Sequence, residues 1–426
     1  MSPSDRAGLA PAALAATPAA DRTRHHLLYL PDFRRLWLIG LVVFAVRWLE
    51  MLVVGVFVYQ HTGSAFQVAM MTLLRMAPMV MFGPVIGAVA ERFERRKAQV
   101  LVGVILLLSA AAVAALAYAG VLEVWHLAVA SFANGVAWAA DNPVRRVMIG
   151  EVVGSERMGA AMAIDVGANN ASRMLGPTIG GLMLAHIGIA GAFTVSVACY
   201  ALALIAALRL QHRNAVAPAA SGAVFTHILE GLLLARRDPR LVAVLTVTIV
   251  YNVFGWPFTS MLPVIGQDSL HLAPGGIGML ASMDGIGAFL GAIVIALWVR
   301  PAQFNRLYIG AVLSYLVLVV GFALAPDIGF AGAALLLTGL ANSGFSVMQA
   351  TLIYLAAPAE MRSRLYGVLS LCIGSGLVGF LHLGIMAELI GAPWAAVLSA
   401  CEGLLVLALT WRWWRQLLRR RDLQPA

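Results

Sequence analysis

Apolar residues in this chain come in long runs, and no other feature constrains the fold as tightly. Twelve such runs can be traced, at about 36–59, 66–90, 98–119, 125–146, 158–184, 189–208, 241–265, 274–298, 306–325, 330–356, 364–390 and 393–414. A helix needs about 20 apolar residues to cross the hydrocarbon of a bilayer. Backbone groups in lipid must bond within their own segment, so runs of this length are expected as helices. The alternating strand pattern of a membrane barrel is absent. Composition agrees: 61% of residues are hydrophobic and 12% are charged, whereas a soluble domain is about half apolar and about a quarter charged. A soluble globular enzyme is excluded. The expected fold is an all-α membrane protein with twelve transmembrane helices.

The formal net charge is +9, which in a soluble protein points to nucleic acid. Here its distribution points elsewhere. With the amino terminus inside, 26 of the 29 basic residues fall in inner segments. The other three, Arg47, Arg75 and Arg173, lie within runs, and the outer connections carry Glu123, Asp268 and Asp327. This is the positive-inside pattern. The surplus is therefore a topology signal, both termini are expected in the cytoplasm, and no nucleic-acid partner is implied. Trp37, Trp125, Trp298, Trp394, Trp411, Trp413 and Trp414 sit near run ends, as interfacial anchors do. Residues 1–31 lack an apolar core bounded by a cleavage site and read as a disordered cytoplasmic tail. Cys199, Cys372 and Cys401 lie in apolar stretches without ligand spacing, so neither a disulfide framework nor a metal site is expected.

The longest polar connection, residues 209–240, separates six runs from six. Asp32-Phe33-Arg34 recurs as Asp238-Pro239-Arg240, Gly83 and Gly87 as Gly287 and Gly291, Ala133-Asn134 as Ala341-Asn342, and Glu156 as Glu360. The offsets stay between 204 and 208. Four matches in order at nearly one offset argue for two homologous bundles, 32–208 and 241–415, with a cytoplasmic linker at 209–240 and a tail at 416–426. Both bundles start inside, so the repeat is parallel, and such repeats place a site at their interface near the midplane.

After the second run comes Gly87-Ala88-Val89-Ala90-Glu91-Arg92-Phe93-Glu94-Arg95-Arg96-Lys97. Glycine admits a close helix neighbour, and an acid among arginines forms an ion network at the membrane surface. With this motif the sequence resembles the major facilitator superfamily, whose signature there is Gly-x-x-x-Asp-Arg-x-Gly-Arg-Arg/Lys. The chain departs from it with Glu91 for Asp and Glu94 for Gly, and the form Arg-Phe-acid-Arg-Arg is similar to the enterobactin exporter branch. The resemblance implies that Glu91 meets the start of helix 11, where an acid favours a helix amino terminus. It also implies a bacterial cytoplasmic (inner) membrane location and a monomer, and gating roles are expected for Gly87, Glu91, Arg92, Arg95, Arg96, Asp141, Gly176 and Pro177. Gly176-Pro177-Thr178-Ile179-Gly180-Gly181 partly matches the superfamily's exporter signature on helix 5. Proline removes one backbone bond there and the glycines permit tight packing. A kinked packing helix is the plainer reading of the same residues.

Ionisable residues inside spans are costly and usually functional. Arg47 and Glu50 lie three apart and are expected to pair on one face. Asp165, Asn169 and Arg173 form a stripe at spacing four, either a site or a polar clamp against the other bundle. The expected proton-coupling residues are Glu50 foremost, then Arg47, Asp165 and Asp284. By resemblance helices 1, 4, 7 and 10 line the cavity. That selects Trp48, Asn134, Trp138, Asn252, Trp256, Asn342 and Gln349, to which Arg173 is added. Asp141 is expected to pair with a loop arginine near the inner end of run 4. The deep tryptophans read as packing or as ligand platforms. Glu388 reads as solvated, and Glu402 as facing lipid or its own bundle.

The function implied is a secondary transporter using alternating access. The expected activity is export of a small organic molecule, siderophore-like or drug-like, coupled to protons. Expected partners are that substrate, protons and the bilayer, with no cofactor. An uptake permease or a lysophospholipid flippase of the same fold is the alternative. An intramembrane hydrolase built on Gly374-Ser375-Gly376 and His382 lacks Gly-x-Ser-x-Gly. No Walker motif is present, since Lys97 is the only lysine and follows no glycine-rich loop.

Overall fold

The computed structural model describes residues 24–92, 94–212, 224–358 and 361–419. Among these, side chains at 24–26, 83–92, 155, 224–229, 362–363, 416 and 419 are outside the description. The described chain is helical throughout. Ten of its helices are long and apolar enough to cross a membrane.

The helices follow the apolar runs: α1 Pro31–Thr62, α2 Ala65–Arg92, α3 Arg95–Tyr118, α4 Val124–Val153 and α5 Met158–Leu208. Then come α6 Val224–Arg237, α7 Pro239–Asp268, α8 Pro274–Trp298, α9 Phe304–Ala323 and α10 Ile328–Ala356. The chain ends with α11, in two pieces Arg362–Gly374 and Gly376–Ile390, α12 Ala392–Leu409 and α13 Trp411–Arg419. Local chemistry sets the ends. Pro31 and Pro239 occupy first-turn positions, where a missing N–H costs nothing. The Asp238 carboxylate accepts from Arg240 N (2.8 Å), and that of Asp327 from Phe330 N (2.9 Å). Gly63 closes α1 in the left-handed region at φ 64°.

Three departures from the runs matter for the site. Runs 158–184 and 189–208 form one helical stretch of 51 residues that breaks at Gly188, φ 66° and ψ -176°, in the gap between them. Helix α4 continues past run 4 to Val153 and carries Arg145, read from sequence as an inner-segment residue, into the core, where it is fully buried. Helix α7 is not one regular helix. It is α-helical over Pro239–Val250, π-helical over Tyr251–Gly255, 3-10 over Trp256–Met261 and α-helical again over Leu262–Asp268.

The core sits between helices, and much of the outer surface is apolar: Leu101, Leu108, Leu202, Leu389, Leu405 and Leu409 are all exposed. That surface suits lipid rather than water. Helix α5 packs on both α1 and α8, and α2 packs on α11. The α5–α8 and α2–α11 crossings join the first six runs to the last six. At one end of the molecule the Tyr59 hydroxyl donates to Asp268. There too Glu388 accepts from Ser64 Oγ (3.0 Å) and Phe66 N (3.3 Å), so it caps the start of α2 from α11 instead of standing free in solvent.

Candidate functional site

A cavity of about 310 Å³ lies among α1, α2, α4, α5, α7, α8, α10 and α11. Arg47, Trp48, Trp138, Arg173, Asn252, Trp256, Asp284, Asn342 and Gln349 all line it. Asn134 lines a small adjoining void with Arg75, Trp138 and Tyr200. Glu50, Asp141 and Asp165 are buried away from the cavity.

The expected Arg47–Glu50 pair does not form. Glu50 Oε2 instead accepts from Arg75 Nη2 at 3.0 Å, and Asn134 Nδ2 and the Tyr200 hydroxyl stand 3.4 Å from the same oxygen. Arg75 Nη1 also donates to the Arg47 carbonyl (3.1 Å). The Arg47 head is drawn to other partners. It lies 4.6 Å from the Trp138 ring centre, 5.3 Å from Phe44 and 5.5 Å from Trp48, and donates to Asn169 Oδ1 at 3.1 Å. Aromatic faces attract a cation through their quadrupole, so α1 gains more by sending Arg47 and Glu50 to different neighbours.

The α5 stripe divides the same way. Asp165 stays with α4, bonded to the buried Arg145, with Arg146 at 3.8 Å. Arg145 is also 3.3 Å from Asp141, which accepts from Gln99 Nε2 at 2.7 Å. Asp141 therefore pairs within its own helix, not with a loop. Asn169 meets Arg47, and Arg173 alone reaches across, pairing with Asp284 of α8. The Asn342 amide completes this node: its oxygen accepts from Arg173 Nη1 and Nη2 (2.7 and 2.8 Å), and its nitrogen donates to the Tyr251 hydroxyl (2.8 Å). Nearby, Thr178 and Ser282 hydroxyls bond at 2.7 Å. One short stretch thus carries two kinds of seam, a charged one at Arg173 and a glycine one just beyond it.

The glycines of the helix 5 motif explain the close approach. A Cβ on Gly176 would meet Trp48 Cβ at 2.7 Å, and one on Gly180 would meet Leu49 O at 2.8 Å, both on α1. The neighbouring Gly181 faces α8, where a Cβ would strike Pro274 O. The Pro177 carbonyl in turn sits where a Cβ on Gly278 would go. The packing helix and the motif are one arrangement, a three-helix junction beside the cavity, and the break in α5 comes later, at Gly188.

Of the loop motif, Arg95 pairs with Glu151 and Arg96 donates to the Leu208 carbonyl (2.7 Å). The side chains of Gly87, Glu91 and Arg92 lie outside the described residues, as does the contact expected of Glu91. Ser375 Oγ donates to the Cys372 carbonyl (2.6 Å), while His382 faces Glu402 at 2.7 Å. The two do not form a hydrolytic pair, and Glu402 turns toward its own neighbour α11.

Sequence reasoning missed the break in α7 and the role of Arg75. Gly255-Trp256-Pro257 inside an apolar run was the available signal for the break, because proline leaves an upstream carbonyl unbonded. Side chains bond carbonyls around the break: Ser399 donates to Phe254 O (3.0 Å), upstream of the proline, Thr259 to Trp256 O (2.9 Å) and Ser260 to Pro257 O (2.8 Å). Short π segments often mark functional sites, and this one presents Tyr251 and Asn252 to the cavity.

Comparison with known proteins agrees with this geometry. Residues 28–425 match the family described as transmembrane secretion effector, a major facilitator family. The chain is 25% identical over 362 residues to the multidrug efflux pump Tap of Mycolicibacterium fortuitum, covering 83% of this chain and 86% of that protein. It is 21% identical over 241 residues to macrolide efflux protein A of Streptococcus pyogenes, covering 56% and 60%. The nucleoside transporter NupG superposes with a TM-score of 0.76 at 11% identity, over 91% of this chain and all of that one. A bacterial homologue of the lysosomal transporter Spinster, inward-facing and unoccupied, gives 0.71 at 16% identity over 96% and 100%. The structural likenesses establish the fold, and family and relatives are transporters rather than enzymes.

Proposed function

The chain belongs to the transmembrane secretion effector family of major facilitator transporters, and on that premise we propose that it exports a small organic molecule by alternating access, driven by protons moving inward. The reading takes twelve spans, counting the two arms of α5 about Gly188 separately and including α4. They form two bundles, 32–208 and 241–415, in a bacterial inner membrane with both termini cytoplasmic. The protein acts as a monomer on a siderophore-like or drug-like substrate.

One observation carries the coupling: Arg173 of α5 and Asp284 of α8 form an ion pair that both lines the cavity and ties the two bundles. Protonating Asp284 removes the carboxylate charge, frees Arg173 toward the cavity and loosens the seam. The proton and Arg173 thus compete for one carboxylate, so the two protonation states hold the seam differently, which is the differential interaction that alternation requires. Glu50, first among the sequence candidates, is walled in by Arg75 and serves better as a scaffold for α1, α2 and Arg47. The ties at Tyr59–Asp268 and Ser64–Glu388 close the end that the charge rule places outside, so the cavity faces the cytoplasm in this state.

The test uses full-length protein in proteoliposomes with a panel of macrolides, catecholates and cationic dyes, with and without a pH gradient. Gradient-driven accumulation should appear for at least one class and vanish with a protonophore. Asp284→Asn should retain exchange between internal and external substrate while losing gradient-driven accumulation. Undiminished gradient dependence in Asp284→Asn would refute Asp284 as the coupling group.

A further inference from the structure

The intramembrane charges of the first six runs do not balance. Arg75 is paired with Glu50, and Arg173 with Asp284 of α8. Asp141 and Asp165 are matched by Arg145 and Arg146. Arg47 is left over. Among the described residues it forms no ion pair, its one side-chain hydrogen bond goes to the neutral Asn169, and its buried Nη1 has no hydrogen-bond partner. It nonetheless lines the cavity. A cation held inside a membrane without a counter-charge is expensive, and three aromatic rings around it offset only part of that cost. Trp48 adds a second relation, since its ring lies 5.5 Å from the Arg47 guanidinium and 5.4 Å from that of Arg173. Two arginines therefore converge on one indole in the wall. The rest of the wall is aromatic at Trp138, Trp256, Tyr251 and Phe345.

We propose that the cavity recognises its substrate as a planar aromatic monoanion, a carboxylate or phenolate whose negative charge completes the unpaired Arg47 and whose ring lies among the tryptophans. The inference rests on the cavity being the transport site and names the chemistry it takes. A cation is disfavoured because it adds to the existing surplus, and a neutral ring gains stacking without charge neutralisation. Asn169 is the built-in control: an aspartate there supplies the missing carboxylate from within the protein, 3.1 Å from the Arg47 head in the present geometry.

The experiment is calorimetric titration of the intact protein in nanodiscs with three isosteric probes: naphthoate, naphthamide and naphthylmethylammonium. Naphthoate should bind at least about tenfold more tightly than the other two, the scale of one hydrogen bond to a charged group. Arg47→Gln should erase that preference, and Asn169→Asp should erase it while leaving the Arg47 side chain in place. Thermal unfolding of each variant identifies any that fails to fold, and Asn169→Asp keeps the test open if Arg47→Gln does not fold. Equal or tighter binding of the ammonium probe, no saturable binding of naphthoate, or a naphthoate affinity untouched in both folded variants would overturn the proposal. Transport is scored separately. Naphthoate bound with this preference but never moved defeats the export reading alone. Movement of the cation in preference defeats this inference alone.

Discussion

The Glu50–Arg75 pair invites a double-mutant cycle. Glu50 is 1% exposed and Arg75 7%, with 3.0 Å between Oε2 and Nη2. Deleting the arginine head in Arg75→Met leaves a buried carboxylate with neutral neighbours alone, among them Ser196 and, at the long distance of 3.4 Å, Asn134 and Tyr200. Stranding one member of a buried pair costs about 3–5 kcal/mol. Glu50→Gln strands less, because an amide oxygen still accepts from Arg75 and the Arg47 carbonyl remains a second acceptor, so its cost should be about 1–3 kcal/mol. Glu50→Leu with Arg75→Met removes both charges, and such apolar replacement of a buried pair is often close to neutral. Glu50→Leu alone should resemble Arg75→Met, since it leaves a buried cation. The interaction energy from the cycle of the two singles and the double should therefore exceed about 2 kcal/mol in favour of the double. The assay is the unfolding midpoint of the detergent-solubilised protein, with each single variant well below the parent and the double recovering most of the loss. Additive losses would refute the view of this pair as a closed scaffold. Gradient-driven export that survives in the double variant would also remove Glu50 from the coupling pathway, the role its position on α1 first pointed to.

Two further outcomes follow from contacts elsewhere. Gly278→Val places two methyl groups where the Pro177 carbonyl sits, and overpacking of this kind costs about 1–3 kcal/mol. Because α5 and α8 touch there in this structure, the variant should shift cysteine labelling toward a state in which they part, while labelling identical to the parent would defeat this account. At the surface, Glu151 lies past the span of α4. Partial burial pushes its carboxyl up, but hydrogen bonds from Arg95 and His212 outweigh this and hold it below the ordinary value of 4.5. A lowered folded pKa means the tie is at full strength above about pH 4.5 and is lost as the pH falls through the folded value. The protection factor for hydrogen exchange at the start of α3, corrected for the intrinsic rate at each pH, should therefore fall on acidification below that point in the parent and not in Glu151→Gln.

The helices were legible because a lipid solvent leaves the chain little choice: a run of about 20 apolar residues must satisfy its own backbone. The cavity list was legible for a related reason. Polar groups such as Asn252, Asn342 and Gln349 are kept within spans only where they meet something other than lipid. Partner choice was not legible. Spacing put Arg47 and Glu50 on one face of α1, but the face does not say what stands opposite, and Arg75 arrives from α2 by tertiary packing alone. Arg145 hid for a different reason, since an arginine at the end of a run looks like an inner loop until its two carboxylates are seen. The break in α7 was written in Gly255 and Pro257, yet whether proline merely kinks a helix or ends it depends on side chains that take over the freed carbonyls. Ser399 does so from another helix.

The asymmetry between the two proposed bundles gives these pieces a common logic. Arginines gather in the first, at Arg47, Arg75 and Arg173, while the second gives the cavity wall one acid, Asp284, with the amides Asn252, Asn342 and Gln349. The second also holds the irregular α7, whose π and 3-10 turns border the cavity. A wall rich in arginine thus faces one of amides and aromatic rings, and among the described lining residues the only charge on that second side is the partner of Arg173. A proton that takes Asp284 must release Arg173, which then stands with Arg47 against the Trp48 ring in the cavity wall. Proton uptake, the seam between the bundles and the charge of the cavity wall are then linked through one carboxylate, without a relay through the sealed Glu50.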